Sequence, residues 1–423
     1  MSSLASAVAP VGRLFGSVAG RLRDLRASPA LSPTLYEERR WARNGGHRVH
    51  ASHTPHMRAA VEWLCRAQDA TGSGGIARGF SLTWNPYFRR AGWQPAYPET
   101  TGYIVPTLFT AARRLGWPQL AGRAQAAARW EIEVRLPGGA VQGGVIGQTR
   151  SPAAFNTGQV LLGWIAAWEE TGDVAFADAA VAAGRYLARE LPGGSADRAG
   201  GSRFARGDAL LYNARTAWAL AEAGVRFGER RFTDTARTYL AAVAARQHDN
   251  GWLPACCLYD PERPLLHTLA YGIRGLLEGG RVLGEPRFLH HAERAARNLA
   301  TAVREDGWLA GKFDATWQPA ASWSCLTGSA QVANIWLRLF EVTGDRAWLE
   351  PVASVLRWLK ATQNGSSASP GLRGGIRGSE PVDGEYGRFE VLSWATKFFA
   401  DALMRHDAVL QPDGYAPAVS PLA

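Results

Sequence analysis

Apolar positions fall at helical spacing in long Ala- and Leu-rich stretches of this chain, and short polar, glycine-rich breaks interrupt them six times. In each unit an amphipathic helix ends in Gln, Arg or Glu. A glycine turn, a polar loop and a second, more apolar helix follow. The glycine turns are Gln68–Gly75, Leu136–Gly139, Leu191–Gly194, Gln247–Trp252, Arg304–Trp308 and the stretch from Gln363-Asn364 to Gly374-Gly375. Shorter connectors lead on to the next unit: Leu115–Pro118, Thr171–Asp173, Phe227–Glu229, Leu283–Pro286 and Thr343–Asp345. Glycine there suits a helix end that needs positive φ, and Asp or Pro suits the start of the next helix.

The spacing predicts six helix pairs: 55–68 with 99–115, 118–134 with 156–171, 174–190 with 211–227, 230–247 with 265–283, 286–303 with 326–343, and 346–363 with 390–405. First members such as Phe288–Glu293 keep one charged face, whereas second members such as Val160–Trp168 are apolar on nearly every side. A helix apolar all round is buried. The first members therefore form an outer ring and the second members an inner ring. The expected fold class is all-α, an (α/α)6 toroid of six helical hairpins. The expected domain plan is a basic, partly ordered leader over 1–50, the toroid over 51–410 and a tail over 411–423. The long loops gather at one end, where the inner-helix N-termini also point, and function is expected there.

The composition is ordinary for a globular chain, 46% hydrophobic and 20% charged. No run of about 18 apolar residues exists, and the N-terminus lacks a clean signal-peptide core, so a cytoplasmic location is expected. The four cysteines, Cys65, Cys256, Cys257 and Cys325, contain no CxxC pair. They are read as buried apolar side chains, and neither a metal site nor a cofactor is expected. Residues 1–50 carry eight Arg against Asp24, Glu37 and Glu38, half of the net charge of +10. They are a solvated leader or an arm with weak membrane-surface contact. No basic stripe interleaves with aromatics, so nucleic acid is not an expected partner.

The residues opening the inner helices should ring the cleft. They are Tyr97–Tyr103 with Glu99; Asn156 to Gln159; Tyr212 to Arg215; His267 with Tyr271 and Arg274; Thr327 to Gln331 with Asn334; and Glu390, Ser393, Trp394 and Lys397. Thr100, Asn156 and Thr327 suit capping. Glu99 is not a leading cap, and His267, Tyr271 and Arg274 share one helical face. His267, Tyr271 and Glu99 are the catalytic candidates. Arg274, Arg215, Asn156, Gln159, Tyr103, Tyr212, Gln331, Trp93, Trp84 and Lys397 are the substrate-binding candidates. Loop aromatics, including Tyr87 and Phe88, suit stacking on sugar rings, whereas Trp252 and Trp308 recur beside glycine and suit packing.

The turns at Gln247–Trp252 and Gln68–Gly75 loosely resemble the QW-type repeats of squalene cyclases and protein prenyltransferases. The Asp-Asp cluster of the former and the zinc set of the latter are missing. From about 55 to 405 the chain resembles toroid proteins found with bacterial exopolysaccharide biosynthesis, through Tyr97–Tyr103, Leu266–Tyr271, Leu326–Gln331 and Trp394–Phe399. In layout it is similar to toroid polysaccharide lyases, unsaturated-uronide hydrolases and uronyl C5-epimerases. The resemblance implies a polysaccharide or oligosaccharide substrate.

Of three chemistries, uronate lyase or C5-epimerase chemistry is the expected one, with hydrolysis and non-catalytic binding as alternatives. A lyase or C5-epimerase would remove the C5 proton of a uronic acid. His267 and Tyr271 would serve as base and acid, and Arg274, Arg215 or Asn156 would neutralise the carboxylate; the arginine excess suits an anionic polymer. A glycoside hydrolase would pair Glu99 with Asp208, Asp260, Asp314, Glu385 or Glu390. A non-catalytic polysaccharide-binding or scaffold protein would need only the aromatic loops.

Overall fold

The computed structural model describes residues 28–46, 49–148, 150–191 and 211–410. Residues 1–27 and 47–48 of the expected leader, Pro192 to Gly194 of the third glycine turn, Asp208 and the 411–423 tail lie outside the described residues. In chain order the helices are α1 (Pro33–Arg43), α2 (Thr54–Asp69), α3 (Pro98–Leu115), α4 (Gln119–Val134), α5 (Ala154–Thr171), α6 (Val174–Glu190), α7 (Ala214–Phe227), α8 (Arg230–Ala245), α9 (Leu266–Leu283), α10 (Pro286–Thr301), α11 (Leu326–Thr343), α12 (Leu349–Thr362) and α13 (Ser393–Leu410).

The even-numbered helices α2 to α12 form the outer ring, and the odd-numbered α3 to α13 form the inner ring. Each inner helix packs on the next, and α13 returns to α3, so the ring is closed. The inner helices are buried almost throughout, as their all-round apolarity demands. None of the described helices is long and apolar enough to cross a membrane. All four cysteines are free thiols.

The helix pairing differs from the expected one. Each inner helix packs most closely on the outer helix that follows it through a short connector, as α3 does on α4 and α9 on α10. The outer helix α2 has no such predecessor and packs on α13 instead, which closes the seam between the two ends of the ring. The reason lies in the connectors. Gly116, Gly172, Gly228, Gly284 and Gly344 turn the chain at φ values from 66° to 71°. Asp173 and Asp345 then cap the next helical turn, accepting from the amides of Ala175 (2.9 Å) and Ala347 (3.0 Å). A three-residue turn forces its two helices together, whereas a long loop lets them splay.

The long loops also contain strands that the helical pattern hides. The strands are β1 (Gly79–Asn85), β2 (Arg90–Trp93), β3 (Ser324–Cys325), β4 (Ser379–Glu380) and β5 (Glu390–Leu392). β1 lies antiparallel between β2 and β5, with Ser81 opposite Glu390. This small sheet joins the first long loop to the last.

Part of the leader is folded onto the toroid. Ser32 caps α1 by accepting from the Leu35 amide, and Glu38, 1% exposed, pairs with Arg377 and accepts from Asn364 (2.7 Å). An α1 that floated free would take one of two carboxylates from the buried Arg377 guanidinium and leave it paired with Glu380 alone.

Candidate active site

The inner-helix starts and the first and last long loops enclose a cavity of about 340 Å³ at the long-loop end. Its walls carry Arg78, Asn85, Tyr97, Glu99, Asn156, Tyr212, His267, Tyr271, Tyr386, Glu390 and Trp394, with Tyr87, Phe88 and Tyr259 toward the mouth. Polar groups converging in an aromatic cavity are the usual form of a small-ligand site.

Glu99 opens the first turn of α3 and keeps partial solvent contact through the cavity. Its Oε2 accepts a very short hydrogen bond from the Tyr97 hydroxyl. Burial raises its carboxyl to about pH 7, against the opposing pull of Tyr97, Arg78 and Arg215. A large fraction of Glu99 is therefore protonated at neutral pH, and with Oε2 occupied the proton sits on Oε1. Tyr97 itself stays a phenol, since burial and the Glu99 charge both raise its pKa.

Glu390 is held by a different set of partners. The sheet register puts it beside Ser81, where its Oε1 accepts from Asn85 (2.7 Å) and Gln94 (2.8 Å) and its Oε2 from Arg78 (2.9 Å). Three donors and no acceptor around it call for a carboxylate. Arg78 also donates to Gln94 (2.7 Å), and its guanidinium lies over the rings of Trp394 (4.8 Å) and Phe88 (5.3 Å).

On the facing wall, Nδ1 of His267 donates to the Gln331 amide oxygen at 2.8 Å, which leaves Nε2 as the lone-pair nitrogen. Burial lowers the imidazole pKa to about 4, so His267 is neutral at pH 7. Its ring centroid is 4.4 Å from that of Tyr271, whose hydroxyl burial keeps protonated. The Tyr271 hydroxyl neighbours that of Tyr103.

The sequence candidates thus divide. Glu99, His267, Tyr271, Asn156 and Tyr212 share the cavity. Gln331 stands behind His267 as its hydrogen-bond partner. Arg215 lies beneath the floor, bonded to Gln159 (2.6 Å) and set among the rings of Trp218, Tyr271, Phe398 and Tyr103. Tyr103 is 1% exposed and stacks on Phe398. Arg274, expected to neutralise a substrate carboxylate, is held by Glu278 at 2.7 Å. Lys397 is held by Asp401 at 2.5 Å, and burial lowers its pKa to about 8. Trp93 packs on Trp63 and Phe80, and Trp84 stands 40% exposed away from the cavity walls. None of Arg215, Gln159, Tyr103, Arg274, Gln331, Lys397, Trp93 and Trp84 lines the cavity.

Of the capping candidates, Thr100 donates to the Tyr97 carbonyl and Asn156 to that of Gln142. Trp252 is buried against Trp317, as its place beside glycine suggested. Arg78, Asn85, Tyr259 and Tyr386 escaped the sequence reading. They come from the long loops, and the sequence reading found no local signal for any of them.

No protein-family model matches the chain, and no curated protein matches it in sequence. Solved structures do match. An unsaturated glucuronyl hydrolase specific for heparin superposes with a TM-score of 0.66 at 18% identity, covering 84% of this chain and 97% of that one. The unsaturated glucuronyl hydrolase of Bacillus sp. GL1 gives 0.63 at 17% identity, with 83% and 96% covered. Cellobiose 2-epimerase of Bacillus thermoamylovorans gives 0.62 at 12%, with 82% and 96% covered. At these identities the likeness concerns architecture, and the chain has the (α/α)6 toroid fold that those hydrolases and epimerases share.

Proposed function

We propose that this protein cleaves a glycosidic bond of an oligosaccharide, with Glu99 as the general acid and Glu390 as the second carboxyl group. The observation that carries the reading is the pair itself: two carboxyl groups in one aromatic-lined cavity, in contrasting environments. Glu99 holds a proton near neutral pH, and Glu390 is fixed as a carboxylate by Arg78, Asn85 and Gln94. The Glu99 proton passes from Oε1 to the leaving oxygen as the bond to the anomeric carbon breaks. Glu390 Oε2, which accepts one hydrogen bond here, has capacity left to orient the attacking water and take its proton. Tyr87, Phe88, Tyr259 and Trp394 offer ring faces to the sugar. Toroids of this fold whose names describe saccharide hydrolases and epimerases support the substrate class.

A second reading, proton removal from a sugar carbon as in uronate lyases and epimerases, draws on His267. A neutral imidazole with its outer nitrogen unprotonated can act as base, beside the Tyr271 phenol as acid. The cation available to a uronate carboxylate would then be Arg78, not Arg215 or Arg274. A role in exopolysaccharide metabolism rests on the sequence resemblance and belongs to either reading.

One experiment separates them. Purified protein is incubated with saturated and unsaturated uronate oligosaccharides and with neutral oligosaccharides in deuterium oxide. Released reducing ends with no new ultraviolet absorbance, lost by Glu99→Gln, support hydrolysis. Deuterium uptake at a ring carbon, or new ultraviolet absorbance accompanying the reducing ends, moves the assignment to His267. Binding without turnover across the panel leaves a saccharide-binding protein and overturns both.

A further inference from the structure

At the far end of the toroid from the cavity, His50, His53 and His56 recur every third residue just before and into α2. His53 faces His406, near the C-terminus of α13, across the seam where the ring closes. Nε2 of His53 and Nδ1 of His406 are 2.9 Å apart, and Asp407 Oδ1 lies 4.0 Å from the same His53 nitrogen. All three atoms lie within 4.8 Å of one another. The histidines are nearly buried, with the His53 side chain 10% exposed and His406 9% exposed, whereas the Asp407 side chain is 34% exposed. Nδ1 of His53 is buried and makes no hydrogen bond.

We infer that His53, His406 and Asp407 form a binding site for a divalent transition-metal ion that clamps the first outer helix to the last inner helix. Ligand atoms bonded at about 2.0–2.1 Å in a tetrahedron stand roughly 3.3 Å apart. The two imidazole nitrogens need to separate by about 0.4 Å, and the Asp407 oxygen, 4.0 Å from the His53 nitrogen and within 4.8 Å of the His406 nitrogen, needs to close by about 0.7 Å on the first and by up to about 1.5 Å on the second. Two imidazoles and one carboxylate select zinc, cobalt or nickel over the oxygen-seeking calcium and magnesium. The partial exposure of Asp407 leaves the fourth position to water. In the metal-free form the two imidazoles share one proton between facing nitrogens. The ion takes that place, and the proton moves to an outer ring nitrogen.

The site is structural by position. Trp394 lines the cavity and His406 lies twelve residues further along the same helix, about 18 Å away. His56 is engaged elsewhere, bonded to Gln363. Lys360 opposes the ion. Its ammonium is tied to the carbonyls of His50 (2.8 Å) and Ala51 (3.2 Å), and its charge reaches His53, His406 and Asp407. Arg114 adds positive charge near Asp407. Affinity should therefore be moderate, and removing the Lys360 charge should tighten it.

The test uses the untagged full-length chain after dialysis against chelator, titrated with cobalt(II) and followed by visible absorbance, then with zinc(II) by calorimetry. The expected results are one ion per chain and a thermal midpoint that rises with zinc. Asp407→Asn should weaken binding at least ten-fold, and Lys360→Gln should tighten it. Asp407→Asn alters a half-exposed side chain and leaves the imidazole pair intact, so it serves even if His406→Ala does not fold. No uptake of cobalt at millimolar concentration, or uptake unchanged by Asp407→Asn, would overturn the site and leave a hydrogen-bonded imidazole pair.

Discussion

The two carboxyl groups with raised pKa values teach different things. In the proposed hydrolysis the Glu99 proton is the working part. Activity should therefore fall as pH rises past about 7 and the acid form is lost, and Glu99→Gln should lower kcat/KM by about 10²–10⁴ with the fold intact. A pH–rate profile with reducing-end detection checks both. Glu131, on α4, is 0% exposed with both carboxyl oxygens lacking a hydrogen bond, and burial raises its pKa well above the ordinary value. The folded state keeps the Glu131 proton to a higher pH than the unfolded chain does. Its contribution to stability is thus lost as pH rises above the unfolded value of about 4.3. Glu131→Leu should stabilise the protein by about 1–3 kcal/mol at pH 8 and by much less at pH 4; denaturant melts at the two pH values test the difference. The site was legible where chemistry opens a helix, as at Glu99 and His267. Arg274 was misplaced because seven residues along a helix is about 10 Å of depth, so sharing a face with His267 put it below the floor. Arg78 was illegible because its partner Glu390 stands 312 positions away in the sequence.

At the scale of elements, the repeat has a mechanical meaning. The glutamine that ends an outer helix holds its own glycine turn and the next outer helix together. Gln68 donates to the carbonyls of Gly74 and Arg123, Gln247 to those of Gly251 and His291, and Gln363 to those of Gly374 and His56. The last of these reaches back to α2, so the same clasp also spans the seam. Helix identity was legible because the inner helices are apolar on all sides. The strands were not. Phe80 to Asn85 does alternate apolar and polar residues, but the loop between two strong helical periods concealed so short a signal. Where inner helices touch, space decides. A Cβ on Gly163 of α5 would lie 2.2 Å from the Gly102 carbonyl oxygen of α3, whereas one on Gly122 of α4 would meet nothing within 4 Å. Gly163→Ala should cost about 1–3 kcal/mol or more, and Gly122→Ala should add about 0.5–1 kcal/mol. Chemical denaturation of the pair gives opposite signs if the packing is as described.

At the scale of the molecule, closure distinguishes this toroid from an open helical repeat. An open array loses a terminal unit and keeps the rest. Here α13 packs on α2, α3 and α11, so a chain ending at Thr362 would bare apolar faces on three helices at once. It should lose its cooperative thermal transition altogether, as calorimetry would show; a truncated chain that melts like the whole would mean that the ring is not one cooperative unit. The β1–β5 ladder extends this to the timing of biosynthesis. The cavity draws on residues from Arg78 to Trp394, and Glu390 reaches its donors only when the last loop pairs with the first. Such distant pairings fold slowly. A nascent chain on the ribosome, even with five of its six units synthesised, has no assembled site. Its unpaired first loop and the open side of the ring must be kept from foreign partners until α13 emerges, so the newborn chain lacks the proposed site until its last inner helix has been made.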